Sequence, residues 1–208
     1  MALKKVSVLS LFFGILLIGS LAQAVNVVVP GTSNPWDPGL NPSFTFGYWG
    51  PGNSGGTSPI VVDSTLGLPM TIGDTLTVTY LAGLANAGGG GIWNDAYGDT
   101  GWNAVSSTYP GQYIGPTVYL EELLGVFANN GLIVGTPFII GDGPVAGVIP
   151  SGATQLLLGF NDNNFLDDGG SVTVSVLESG AAVPVPATLF LLGPGFAGLA
   201  AVRRRFTK

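Results

Sequence analysis

The chain has 208 residues, 12 acidic and 6 basic, with a net charge of -6 and neither Cys nor His. The bases sit at the two ends (Lys4 and Lys5, then Arg203, Arg204, Arg205 and Lys208), and every acid from Asp37 to Glu178 lies in a body, Val25 to Val202, without Lys, Arg or His. Such a polyanion has nothing to neutralise phosphates, which argues against nucleic acid as a partner. Without thiol or imidazole there is no disulfide, thiolate zinc site or hydrolytic triad, and the enzyme chemistry left is a carboxylate pair acting on a glycosidic bond.

In chain order, the first segment is "MALKKVSVLSLFFGILLIGSLAQA". Lys4 and Lys5 form a basic n-region, Val6 to Ile18 an apolar core, and Ala22-Gln23-Ala24 a small-residue cleavage site. This pattern predicts a secretory signal helix over 1–24, cleaved after Ala24.

The body, 25–180, is rich in Gly, Pro, Thr, Val and Asn, which predicts an all-β fold. Strands are expected at "VNVVV" (25–29), "SPIVV" (58–62), "TLTVTY" (75–80), "GVFAN" (125–129), "TPFII" (136–140), "TQLLLGF" (154–160) and "SVTVSVL" (171–177). Leu76, Val78 and Tyr80 alternate with Thr75, Thr77 and Thr79, and Val172, Val174 and Val176 alternate with Ser171, Thr173 and Ser175. Sheets with one buried face have this pattern, so a two-sheet sandwich follows. In "VYLEELLGV", Leu120, Leu123 and Leu124 fall at helical spacing, predicting one helical turn with Glu121 and Glu122 in solvent. The Gly-rich stretch from Leu84 to Gly115 reads as a long loop carrying Trp93, Tyr97 and Trp102 near Asp95 and Asp99.

More oxygen gathers in "GFNDNNFLDDGGSVTVSV" than a turn between strands requires: Asp162, Asn163, Asn164, Asp167 and Asp168. With no cation in the body, these carboxylates must be solvated, capped by backbone N–H groups, or bound to metal. No EF-hand or nonapeptide calcium repeat is present.

From Val148 to Val176, a Pro-x-Gly-Ala before a strand, an Asn-Asp at its end, a polar loop and a Gly-Ser before an alternating strand resemble the closing strands of LecA-type calcium-dependent galactose-binding lectins and related jelly-roll domains. The upstream "IGDTLTVTYLAG" and "LLGVFANNGLIVGTPFIIGDG" fit the same pattern, so the resemblance covers roughly residues 58–178. It implies a jelly-roll, galactose-binding-like sandwich holding Ca2+ through Asp162, the pair Asp167 and Asp168, a carbonyl near Asn86 or Ala87, and one from Asn164 or Phe165. Calcium takes six to eight hard oxygen ligands, which such a set supplies. The lectins also use a His that this chain lacks, so galactose specificity does not carry over; Trp93, Tyr97 and Trp102 are the aromatics that could stack on a sugar.

The last segment, 181–208, has a Pro-containing lead-in (Val183-Pro184-Val185-Pro186), an apolar helix expected over 187–202, and the Arg-rich end 203–208. Positive charge after an apolar segment predicts a transmembrane helix with a cytoplasmic tail. With the signal peptide, this tail resembles the PEP-CTERM sorting signal, although Val185 stands where the motif usually has Glu. That resemblance implies an exosortase-type processing enzyme as partner, anchorage in the inner membrane before processing, and delivery to the cell surface or an exopolysaccharide matrix. The expectation is an exported, non-enzymatic protein with a calcium-dependent, carbohydrate-binding sandwich. The alternatives are a glycoside-cleaving enzyme using Asp95, Asp99 or Asp162, and a ligand-free structural protein.

Overall fold

The alternating segments pair into sheets in the computed structural model, which describes residues 22–43, 55–88, 92–103, 118–162 and 164–180. Eleven strands follow in order: β1 (Gln23–Pro30), β2 (Ile60–Val62), β3 (Thr75–Asn86), β4 (Asp99–Asn103), β5 (Tyr119–Leu120), β6 (Glu122–Asn129), β7 (Leu132–Ile133), β8 (Phe138–Ile139), β9 (Val145–Val148), β10 (Gln155–Asn161) and β11 (Gly169–Ser179). Among the described residues there is no α-helix; a 3-10 turn, Ser64–Leu66, is capped by Asp63, whose Oδ1 accepts the Thr65 N–H at 2.8 Å.

One sheet has the order β1-β11-β3-β9, the other β2-β10-β6-β7 with β8 also on β6, and β4-β5 forms a small third ladder. All these pairings are antiparallel. Val27 and Val29 of β1, Leu76 and Val78 of β3, and Val172, Val174 and Val176 of β11 meet Leu123, Val126, Leu156, Leu158 and Phe160 of the second sheet in one buried core. The Thr and Ser positions between them face outward, as the period of two requires. The alternation in β3 ends at a register shift against Thr173/Val174, after which Ala85 becomes the inward residue.

The expected helical turn is absent. Tyr119 to Asn129 is instead β5 and β6, interrupted only at Glu121. Every residue from Glu122 to Ala128 is buried, because β6 is paired with β10 on one side and with β7 and β8 on the other and is covered on both faces. A strand buried on both faces needs apolar residues at successive positions, which is how the leucines here come to mimic helical spacing. Glu121 and Glu122, expected in solvent, are buried. The long loop from Leu84 is shorter than expected, since β3 runs on to Asn86 and β4 occupies Asp99–Asn103.

Ala22 precedes β1, and Gln23 and Ala24 are its first two residues, paired with Glu178 and Leu177. The apolar core of the signal peptide, the motif residues Val183, Pro184, Val185 and Pro186, the apolar helix over 187–202, and Arg203, Arg204 and Arg205 lie outside the described residues. Among the described residues no helix is long and apolar enough to cross a membrane.

The segment Ser33–Pro35 lies directly on β10. Phe160 donates its N–H to the Ser33 carbonyl at 2.9 Å, and a Cβ on Gly159 would collide with the Asn34 carbonyl and the Pro35 nitrogen. That contact positions the strand that ends at Asn161, one residue before Asp162. Gly159→Ala is therefore expected to cost about 2 to 3 kcal/mol by overpacking, measured as a lower denaturant midpoint with unchanged m-value.

Candidate metal centre

Two connections between strands build the site. At the first, β5 leaves its ladder with β4 and the chain joins β10 as β6, and Glu121 is the residue between them. Its φ of 58° lies in the left-handed region, uncommon for a residue with a side chain. The conformation is held by the Glu121 N–H donating to the Asn161 carbonyl at 2.8 Å, while Asn161 Nδ2 donates to the Tyr119 carbonyl at 2.7 Å. Gly98 lies against the same corner, where a Cβ would collide with the Leu120 carbonyl and the Glu122 nitrogen. The second connection joins β10 to β11, from one sheet to the other. Asp162 closes its first turn by accepting the Asn164 N–H on Oδ1 at 2.9 Å, and Asp168 stands immediately before β11.

Together the two connections bring carboxylate oxygens of Glu121, Asp162 and Asp168 within 4.8 Å of one another. Glu121 is fully buried and Asp162 is 3 % exposed. No hydrogen-bond donor among the described residues reaches either oxygen of Glu121 or of Asp168. Three carboxylates packed so closely, away from water, disfavour their charged forms. Burial foremost, and then the Asp162 charge, raises the Glu121 carboxyl well above its ordinary range. Burial, with Asp162 and Glu121 beside it, pushes Asp168 up to about 11.

The predicted ligands divide. Asp162 and Asp168 belong to the cluster, whereas Asp167 is exposed and lies outside it. The Asp167 Oδ1 accepts Asn164 Nδ2 at 2.8 Å, so the Asn164 side chain is committed to bracing the loop. Ala87 is half-buried at the end of β3. Its neighbour Gly88, at φ 71°, lies against Asp167 so closely that any Cβ would collide with it, so the chain after β3 runs beside the loop before β11. Sequence reasoning missed Glu121. The available signal was a Glu pair inside the apolar run Val118–Ala128 of a body without a single cation.

Of the aromatics, Trp93 is 54 % exposed and Tyr97 45 %, and the side chain of Trp102 lies outside the described residues. The Trp93 ring lies across Gly170, two residues from Asp168, where a Cβ would come within 2.6 Å of it. Tyr97 pairs with Tyr119 at 5.5 Å between ring centroids. Asp95 and Asp99 each close a turn of their own, accepting the N–H groups of Tyr97 at 3.0 Å and Gly101 at 2.9 Å, and neither joins Asp162 in the cluster.

No family model, curated protein or solved structure matches this chain.

Beside the cluster, burial raises the Glu122 carboxyl to about 7, a shift its hydrogen bond from the Tyr119 N–H at 2.9 Å only partly offsets. A carboxyl whose folded pKa is raised stabilises the fold below its unfolded pKa and loses that contribution as pH climbs through the folded value. Glu121, Glu122 and Asp168 all shift this way. In chelator, unfolding free energy is therefore expected to fall between about pH 5 and pH 8, by on the order of 1 to 2 kcal/mol from Glu122 once solvent screening is allowed for, by urea titration across that range.

Proposed function

We propose that this is an exported, non-enzymatic surface or matrix protein whose β-sandwich, arranged as a jelly roll, is stabilised by calcium held between Glu121, Asp162 and Asp168. The observation that carries the reading is Glu121: a fully buried carboxylate with no hydrogen-bond donor on either oxygen, facing two further carboxylates. Leaving such a group buried and ionised costs several kcal/mol unless a proton or a cation compensates it. A donor set made only of oxygens suits a hard cation, and calcium tolerates the irregular mixture of carboxylates and carbonyls that two loops supply. The left-handed backbone at Glu121 is maintained by the surrounding hydrogen bonds, a pattern common where a side chain is held for binding.

Convergence on one buried point favours a metal over glycoside cleavage, which needs two carboxyls flanking a sugar in an open cleft. The same burial argues that the ion is structural. A sugar bridged directly to the metal would need open coordination positions, and Glu121 and Asp162 leave almost no surface. Carbohydrate contact, where it occurs, falls to Trp93, half-exposed over Gly170 at the rim of the site. Export, the exosortase-type partner, membrane anchorage before processing and release to the surface or polysaccharide matrix rest on the N-terminal and C-terminal motifs.

Thermal unfolding with millimolar calcium and then with chelator tests the proposal. On a micromolar site, millimolar calcium adds about 4 kcal/mol to the native state, seen as a higher Tm that chelator reverses. Glu121→Gln removes a ligand charge together with its burial cost, so its metal-free Tm at pH 8 is expected to equal or exceed that of the unaltered chain, with no response to calcium. An unaltered chain whose Tm ignores calcium would overturn the reading.

A further inference from the structure

Sheet edges expose unpaired N–H and C=O groups, and proteins blunt them with short strands, charges, prolines or bulges. Most edges here follow that practice. β2 has 3 residues, β7 and β8 have 2 each, and β9 has 4 between Pro144 and Pro150. The small ladder ends in β4, which begins with Asp99. β1 is the exception. It runs for 8 residues, QAVNVVVP, with no charge, no bulge in its register and its single Pro at the final position. Among the described residues it pairs only with β11.

The direction of its hydrogen bonds follows from the register. Gly31 donates its N–H to the Gly170 carbonyl at 3.0 Å, in line with the pairing of Pro30 with Ser171. Antiparallel neighbours alternate between hydrogen-bonded and non-hydrogen-bonded pairs, so Val25, Val27 and Val29 bond toward β11 and the main-chain groups of Ala24, Asn26 and Val28 point to the open side. Pro30, which has no N–H, falls on that same open side. Asn26 and Val28 also turn their side chains to solvent, Val28 being 56 % exposed.

We propose that the open edge of β1 pairs antiparallel with β1 of a second copy of this chain, joining two four-stranded sheets into one across a two-fold axis. An antiparallel edge is self-complementary about such an axis, because the open donors and acceptors of one copy recur, reversed, on the other. Charge selects the same edge. All ionised side chains of the body are negative, so copies repel over most of their surface. The outward residues beside β1, namely Ser171, Thr173, Ser175 and Leu177, carry none, and the one acid of this sheet, Glu178, is turned inward to accept the N–H groups of Met70 and Thr71 at 2.9 and 2.7 Å. Cleavage after Ala24 would shorten β1 to its last residues, from Val25 to Pro30, and begin it with an α-amino group, the one cation of the body, leaving Asn26 and Val28 in place. This inference is independent of the metal site.

The absence of native cysteine makes the test direct, since an introduced thiol can form a disulfide only with a second copy. The full chain in detergent, as Asn26→Cys, as Val28→Cys and as an equal mixture of the two, is oxidised and followed on non-reducing gels. Ala146→Cys on β9, at the opposite edge of the sheet, is the collisional control. Pairing across a two-fold axis predicts that one combination (26 with 26, 26 with 28, or 28 with 28) cross-links at least about tenfold faster than the control, as held groups outpace colliding ones. Rates equal to the control in all three would overturn the proposal. So would faster cross-linking at Ala146, which would move the interface to β9, and so would no dimer at all, which would follow if residues 181–208 covered the edge.

Discussion

A folded body without cations has to settle every buried carboxylate by some means other than a salt bridge, and the polar architecture of this chain follows from that constraint. Glu178 is settled by the backbone, through the Met70 and Thr71 N–H groups. Asp37 and Asp63 use the same means at the surface, accepting Gly39 and Thr65. Glu122 is half settled, holding one N–H from Tyr119 and a raised pKa. Glu121 and Asp168 accept no donor among the described residues and converge with Asp162. Where backbone donors run out, a proton or a metal ion is the remaining compensation.

The geometry that forces this is local. Glu121 occupies the one position between β5 and β6, where the chain passes from one ladder to another, and its left-handed φ turns the side chain away from the alternation of either strand. Gly98 and Asn161 hold that corner from two sides. Gly159, three residues before Asp162, lets Ser33–Pro35 press on β10. The cluster is thus framed by contacts that tolerate no added Cβ, which suits a site whose ligands must not drift apart.

The fold was legible where burial is one-sided. "TLTVTY" and "SVTVSV" alternate because β3 and β11 present one face to the core and one to water. "ELLGVFA" does not alternate, because β6 is covered on both faces, and periodicity cannot separate that case from a helix. β5, β7 and β9 are too short to carry a period, and β4 lay in what reads as a Gly-rich loop. The site was legible in the loop that supplies Asp162 and Asp168, since acids crowded between two strands announce themselves. Glu121 was not, because its partners lie far along the chain and its exposure depends on whether the segment is helix or strand. Asp167 is a neighbour in sequence that the loop before β11 leaves exposed, accepting Asn164 Nδ2.

The pairing of β1 with β11 has a mechanical meaning. Gln23 opposes Glu178 at one end of the ladder and Pro30 opposes Ser171 at the other, so the chain enters and leaves the sandwich at the same point. Tension between the two ends would load the hydrogen bonds of this ladder one pair at a time, as a zipper opens, and not all together as when strands are drawn past each other. Tethered at one end only, the sandwich transmits no force through this seam. Pulled from both, it would open first at Gln23 and Glu178, separating the first strand from the last before the core between the sheets is disturbed.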